Sequence, residues 1–249
     1  MKFTCHNAAG DSAEVKTQKF RGWEGTDTFT MSVVPFSPYP NASSAGSEYL
    51  GSSSLQSAQK TRRERDPPNS ASWAVVNKIT THVAVLLCDG RQYVGKWFGV
   101  RPDWSAEEHE RKKLDAEVNI DNELVVYTVC HALQGAGIPH CYGVGEISGV
   151  TGRVLVLEHI PGPTVAQLVG GGLECVPGRK EGLVNAAGDV LRALHERGVV
   201  HLDLHPWNMV VFAGKTVVVV DFDMSMVCTD GKGVREWEDW VLLKAAFEA

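Results

Sequence analysis

Several things are missing from this 249-residue sequence, and each absence narrows the field. Its six cysteines are scattered, with no C-x-x-C pair, so neither a disulfide framework nor a cysteine zinc site is expected. No apolar stretch approaches the roughly 18 residues a membrane span requires. The opening MKFTCHNAAGDSAEVK also lacks the apolar core of a secretory leader. Positive charge is scarce: the net charge is −6, which argues against nucleic acid as the main partner. What is present, 43% hydrophobic and 22% charged residues, is the composition of a globular domain. An intracellular, cytoplasmic protein is expected, acting as a monomer and away from membranes.

Residues 1–70 are rich in Ser, Pro, Gly and Asn (SPYPNASSAGSEYLGSSSLQS) and are expected to be disordered, because they bury too little apolar surface to offset ordering entropy. The cluster of Arg62, Arg63 and Arg65 reads as a solvated linker or, alternatively, a nuclear address. From residue 71 the pattern tightens. THVAVLLCDGRQYVGKWFG holds two β-rich runs joined by Asp89-Gly90, a two-residue hairpin signal. One helix is expected in DWSAEEHERKKLDAEV and a second in NELVVYTVCHALQG, ending at Gly135. The apolar strand RVLVLEHI stops at Pro161-Gly162-Pro163. Residues 181–197 form an amphipathic helix with Leu183, Ala187, Val190, Leu191 and Leu194 inward, ended by Gly198. NMVVF and TVVVVDFD flank a Gly-Lys turn, and GVREWEDWVLLKAAFEA closes the chain with Trp237 and Trp240 expected in the core. This order of elements gives an α+β fold.

Between that last helix and hairpin lies HLDLHPWN, residues 201–208. A hard divalent cation such as Mg²⁺ takes carboxylates, a side-chain carbonyl and phosphate oxygens as ligands. Asn208 and Asp221 supply such oxygens and leave Asp203 free to accept a proton from a hydroxyl. Asp221 follows TVVVV at the margin of an apolar core, where an unpaired charge is costly, so a metal or hydrogen-bond network should satisfy it. Lys96, at the end of the QYVGKWF strand, reads either as a phosphate-binding ammonium or as a solvated strand-end lysine. Glu123 reads either as its ion-pair partner, a role for which Glu117 is a rival, or as a surface carboxylate. His201 is expected to brace the loop from within the core. His205 lacks the third ligand a zinc site with His201 would need.

Taken in order, these motifs resemble the protein-kinase-like superfamily, near its atypical or fungal-type members and the aminoglycoside and choline phosphotransferase branch. YVGK resembles the strand whose lysine binds the ATP α/β-phosphates, and NELVVYTVCHALQG the helix whose glutamate holds it. LVLEHIPG resembles the hinge, so Glu158, His159 and Ile160 would meet the adenine. HLDLHPWN resembles the catalytic loop, with Asp203 as catalytic aspartate and Asn208 as a metal ligand. DFD resembles D-F-G, with Asp221 as principal Mg²⁺ ligand. The resemblance implies a two-lobed fold over residues 71–249. An N-lobe (about 71–160) would hold a small antiparallel sheet and the glutamate-bearing helix, and a minimal, mostly helical C-lobe (about 161–249) would follow. It also implies an ATP- and Mg²⁺-dependent phosphotransferase acting on a hydroxyl acceptor, with Lys96 and Asp203 in catalysis.

This sequence departs from that pattern in four places. VVNKITTHVAV has no glycine where a Gly-rich phosphate loop should stand. Leu202 replaces the arginine of H-R-D, and Asp223 replaces the glycine of D-F-G. No A-P-E-like segment follows. The acceptor expected is on protein. The alternatives are a small-molecule phosphotransferase, which the HxDxHPxN loop suits, and a pseudokinase binding module, which the missing glycines suit.

Overall fold

Up to Glu158, segments with alternating apolar positions build sheet. In a computed structural model the described residues are 3–6, 12–15, 28–35, 67, 70–80, 82–99, 106–148, 152–171, 178–228 and 236–248. β1 (Phe3–His6) and β2 (Ser12–Val15) form a separate antiparallel hairpin. Six further strands follow: β3 (Thr28–Pro35), β4 (Ser70–Lys78), β5 (Val83–Cys88), β6 (Arg91–Gly99), β7 (Cys141–Ile147) and β8 (Gly152–Glu158). They close into an antiparallel barrel in the order β3-β4-β5-β6-β8-β7.

Closure corrects two expectations. The sheet is a barrel, because β3 pairs with both β4 and β7. That strand also lies inside the stretch expected to be disordered. TFTMSVVP alternates, and Met31 and Val33 point into the barrel (0% and 4% exposed), a short signal masked by the Ser/Pro-rich composition around it. Arg62, Arg63 and Arg65 lie outside the described residues.

The β5–β6 hairpin turns at Asp89-Gly90 with positive φ at both positions (48° and 75°), as a primed turn requires. Period-two alternation then sorts β6: Tyr93 and Trp97 fill the barrel beside Trp73, Tyr142 and Val156, while Val94 and Lys96 face outward. β8 is apolar from Val154 to Leu157 because both its faces are covered there. Val154 and Val156 enter the barrel, and Leu155 and Leu157 enter a second core.

That second core begins with α1 (Ala106–Val129), a single continuous helix where two were expected. No glycine or proline interrupts it, so nothing breaks the backbone ladder between the two apolar patterns. Ile120, Glu123, Val126 and Tyr127 occupy its buried side, and Cys130 just past its end is buried with them. The chain continues through α2 (Val165–Gly170), capped by Thr164 in a capping box with Gln167, and α3 (Arg179–His195), whose inward residues are those expected. β9 (Val199–Val200) pairs with β12 (Met226–Val227), and β10 (Met209–Phe212) with β11 (Thr216–Val219). α4 (Glu236–Glu248) packs on α3 through Leu243, Ala246 and Phe247. Trp240 packs against this core, but Trp237 is 62% exposed, contrary to expectation. The helix buries the face of Asp239, Leu243 and Phe247, and Trp237 falls on another. Sheet and helices make an α+β fold, and no described helix is long and apolar enough to cross a membrane.

Candidate functional site

Lys96 is where the two cores meet. The outward face of β6 carries its side chain to α1, where Nζ forms an ion pair with Glu123, a wholly buried carboxylate. The same ammonium meets Asp221, just past β11, and lies 3.3 Å from Asp223. Lys96 is only 8% exposed, so neither it nor Glu123 is a solvated surface charge. Burial works against the charge on Lys96, but Glu123, Asp221 and Asp223 outweigh it and hold its pKa above the ordinary lysine value. Burial is also the largest influence on Glu123; Lys96 opposes it only in part, and the carboxyl is pushed up to about 7.

Asp221 adopts a left-handed backbone (φ 71°), uncommon outside glycine, which turns the chain sharply at the strand end. Phe222 then enters the core, with its ring 5.6 Å from that of Tyr127 and 5.1 Å from that of His201. Asn122, the neighbour of Glu123, donates through Nδ2 to the carbonyls of Asp223 and Ser225, each at 2.9 Å. α1 therefore holds this loop through its backbone as well as through the Lys96 cluster.

HLDLHPWN forms the second group. His201 is wholly buried and braces the loop as expected: its Nε2–H donates to the Val220 carbonyl (3.1 Å), and Nδ1 accepts from the Asp203 N–H (3.3 Å). Those bonds fix its tautomer, occupy both ring nitrogens and leave none for zinc. Burial lowers its pKa. Both oxygens of Asp203, the expected proton acceptor, have partners. His205 Nε2 sits 3.0 Å from Oδ1, and Asn208 Nδ2 donates to Oδ2 at 3.1 Å. With its amide nitrogen so used, Asn208 keeps its side-chain oxygen for another partner. The Asn208 carbonyl accepts from Val220 N–H (3.0 Å), which joins this group to the strand end that carries Asp221.

Beneath the loop lies a residue that sequence reasoning missed. Asp239 of α4 is wholly buried and accepts from the backbone N–H groups of His201 and Leu202 (2.8 Å each) and from His195 Nε2 (2.9 Å). Leu202 sits between them at φ 64°. Burial alone would raise the Asp239 pKa, but the bonds from His195, His201 and Leu202 prevail and lower it. One signal was available: Asp239, Leu243, Ala246 and Phe247 share one helical face, so a carboxylate stood in an inward position.

Glu158 ends β8, and His159 and Ile160 follow it. In register, Lys96 stands opposite Leu155 and Tyr93 opposite Glu158. The strand rise puts Glu158 about 10 Å along the sheet from the level of Lys96. Glu158 is buried and pairs reciprocally with His140: its N–H donates to the His140 carbonyl (2.9 Å), and its Oε2 accepts from the His140 N–H (3.0 Å). Its carboxylate is thus committed to the backbone of the chain itself.

No model of a known protein family matches the sequence. Over 107 residues, 42% of the chain, it is 27% identical to the serine/threonine-protein kinase PknB of Mycobacterium leprae (strain TN), a match that spans 17% of that protein. Among solved structures, two of WbdD, one described as a bifunctional kinase-methyltransferase, align with TM-scores of 0.49 and 0.48 at 21% and 22% identity. They cover 70% and 66% of this chain, which spans only 36% and 34% of theirs. The likeness to PknB supports a relationship with the protein-kinase-like superfamily.

Proposed function

We propose that this protein is an ATP- and Mg²⁺-dependent phosphotransferase that moves the γ-phosphoryl group to a hydroxyl on a protein acceptor. In this reading the barrel with α1 is one lobe, the chain from about residue 161 is a mostly helical second lobe, and ATP lies between them. One observation carries the proposal: Lys96 draws together Glu123 and Asp221, which come from α1 and the end of β11, at a single buried ion-pair cluster.

Each residue then has a task. Lys96, fixed by Glu123, presents its ammonium to the nucleotide phosphates. Backbone groups of residues 158–160 border the adenine. Asp203, gripped at one oxygen by His205 and at the other by Asn208, orients the acceptor hydroxyl and takes its proton. The donor set fits a hard cation, since one oxygen each of Glu123, Asp221 and Asp223 lies within 4.8 Å of the others. Asp221 and Asn208 would hold Mg²⁺, which when bound offsets charge on the phosphate oxygens. Asp203→Ala tests this: Mg·ATP should still raise the melting temperature, while phosphate transfer should fall by at least about a hundredfold. A wild-type protein whose melting is unmoved by millimolar Mg·ATP refutes the proposal.

A small-molecule acceptor is the second reading. Leu202, held in the backbone by Asp239, stands where an arginine would support a phosphorylation-switched activation segment.

A further inference from the structure

Around Lys96 the charges do not balance. Three carboxylates, those of Glu123, Asp221 and Asp223, meet one ammonium. Even with the buried Glu123 carboxyl counted as neutral, the two aspartates leave one negative charge in excess of the Lys96 ammonium, an arrangement that a low-dielectric surrounding penalises. A second observation points the same way. Glu123 Oε2 is buried and has no hydrogen-bond partner among the described residues, although its sister oxygen is held by Lys96. A buried carboxylate oxygen left so is rare in a finished site. The outer wall is open by contrast: the side chains of Asp221 and Asp223 are 37% and 27% exposed, which leaves a path for an ion.

The geometry points to Asp223 as a ligand, with Asp221, of a hard divalent cation that this protein binds before any nucleotide arrives. The inference rests on the phosphotransferase reading of the same site and adds to it a residue that stands where the resembling motif has glycine. Among the described residues the side chains grouped there offer carboxylate oxygens, which favours Mg²⁺ or Mn²⁺ over softer metals. With Asp221 and Asn208 alone, such an ion would depend on nucleotide phosphates to complete its shell. A second carboxylate supplies both a ligand and the charge to hold the ion in their absence. A preloaded ion also offsets the glycine-free β4–β5 turn. There Thr80 Oγ1 accepts from the N–H groups of His82 (3.2 Å) and Val83 (3.0 Å), which leaves those donors unavailable to cradle phosphate.

Mn²⁺ is the probe, titrated into the full chain without nucleotide while its free concentration is followed by electron paramagnetic resonance. The wild type should bind an equivalent whose affinity falls at least tenfold in Asp223→Asn and recovers substantially in Asp223→Glu. Circular dichroism on the same samples establishes that each variant is folded, and the Glu variant keeps the test decisive if Asn misfolds. Equal Mn²⁺ affinity in wild type and Asp223→Asn, or no binding by the wild type, overturns the inference. Melting with Mg·ATP separates the two readings. A nucleotide shift with Mn²⁺ binding unchanged in Asp223→Asn removes the ligand role and leaves the phosphotransferase. Absence of that shift in the wild type removes the phosphotransferase, while Mn²⁺ loss in the variant still supports the cation site.

Discussion

Replacing Asp239 with asparagine should cost more than any other single change of one functional group near HLDLHPWN. The carboxylate has no exposure and accepts three hydrogen bonds, from the N–H groups of His201 and Leu202 and from His195 Nε2. Each hydrogen bond to a charged acceptor contributes about 1.5–3 kcal/mol, but the three share one group and cannot be summed. Asparagine is isosteric, offers one acceptor oxygen where two are in use, and turns an amide N–H toward another donor. Removing one partner of a buried charged arrangement costs about 3–5 kcal/mol. At about 2–4 °C per kcal/mol for a domain of this size, thermal unfolding at pH 7 should fall by roughly 6–20 °C. The deficit should also depend on pH with a definite sign. The folded pKa lies below the ordinary value of 3.8, so the stabilisation is complete above that value and is lost as pH drops through the folded one. The gap between wild type and variant should therefore be full at neutral pH and narrow in acid below about 4. A melting temperature within about 2 °C of wild type at pH 7 would refute the claim that Asp239 holds the loop.

Two further changes test the buried charge and the backbone. The Glu123 carboxyl, pushed up to about 7 from an ordinary 4.5, binds its proton more tightly folded than unfolded, so its contribution to stability declines as pH rises across that interval. Glu123→Gln should flatten the melting-temperature profile between those values, and an unchanged slope counts against the burial of that charge. Gly198 has φ 71°, and a Cβ there would lie 2.5 Å from the Cys228 carbonyl oxygen, beside the β9–β12 pair. Gly198→Ala should lose about 1–3 kcal/mol in urea unfolding, and a loss below about 0.5 would show that this turn relaxes freely.

What could be read in advance was local. β8 announced itself by its apolar run, α3 by its periodicity, and the β5–β6 turn by Asp89-Gly90, because each signal lies within a few adjacent residues. HLDLHPWN and DFD stood out for the same reason, and Lys96 and Glu123 indeed lie against Asp221. What stayed hidden depended on distance. β3 is set in a composition that reads as disorder, and its pairing with β7 joins segments far apart in sequence. Asp239 sits among Glu236 and Glu238, so its local charge pattern reads as a solvated face. That His205 folds back onto Asp203 has no sign in the sequence either.

The six-stranded barrel also bears on where this chain can be cut. Met31 pairs with Ala71 on one side and with Ile147 on the other, so one upstream strand is the clasp of the ring. A fragment starting at Trp73 would keep every residue of the Lys96 and Asp203 groups and still be defective. β4 and β7 would each expose a row of unpaired backbone donors and acceptors, the template on which strands of separate molecules add. Such a fragment should aggregate through its own sheet, for reasons unrelated to its chemistry. The self-sufficient folding unit therefore reaches back at least to Thr28. Fastening the clasp is the least local of the ring's strand pairings, so ring closure should come late and slowly in folding, after the hairpins have formed.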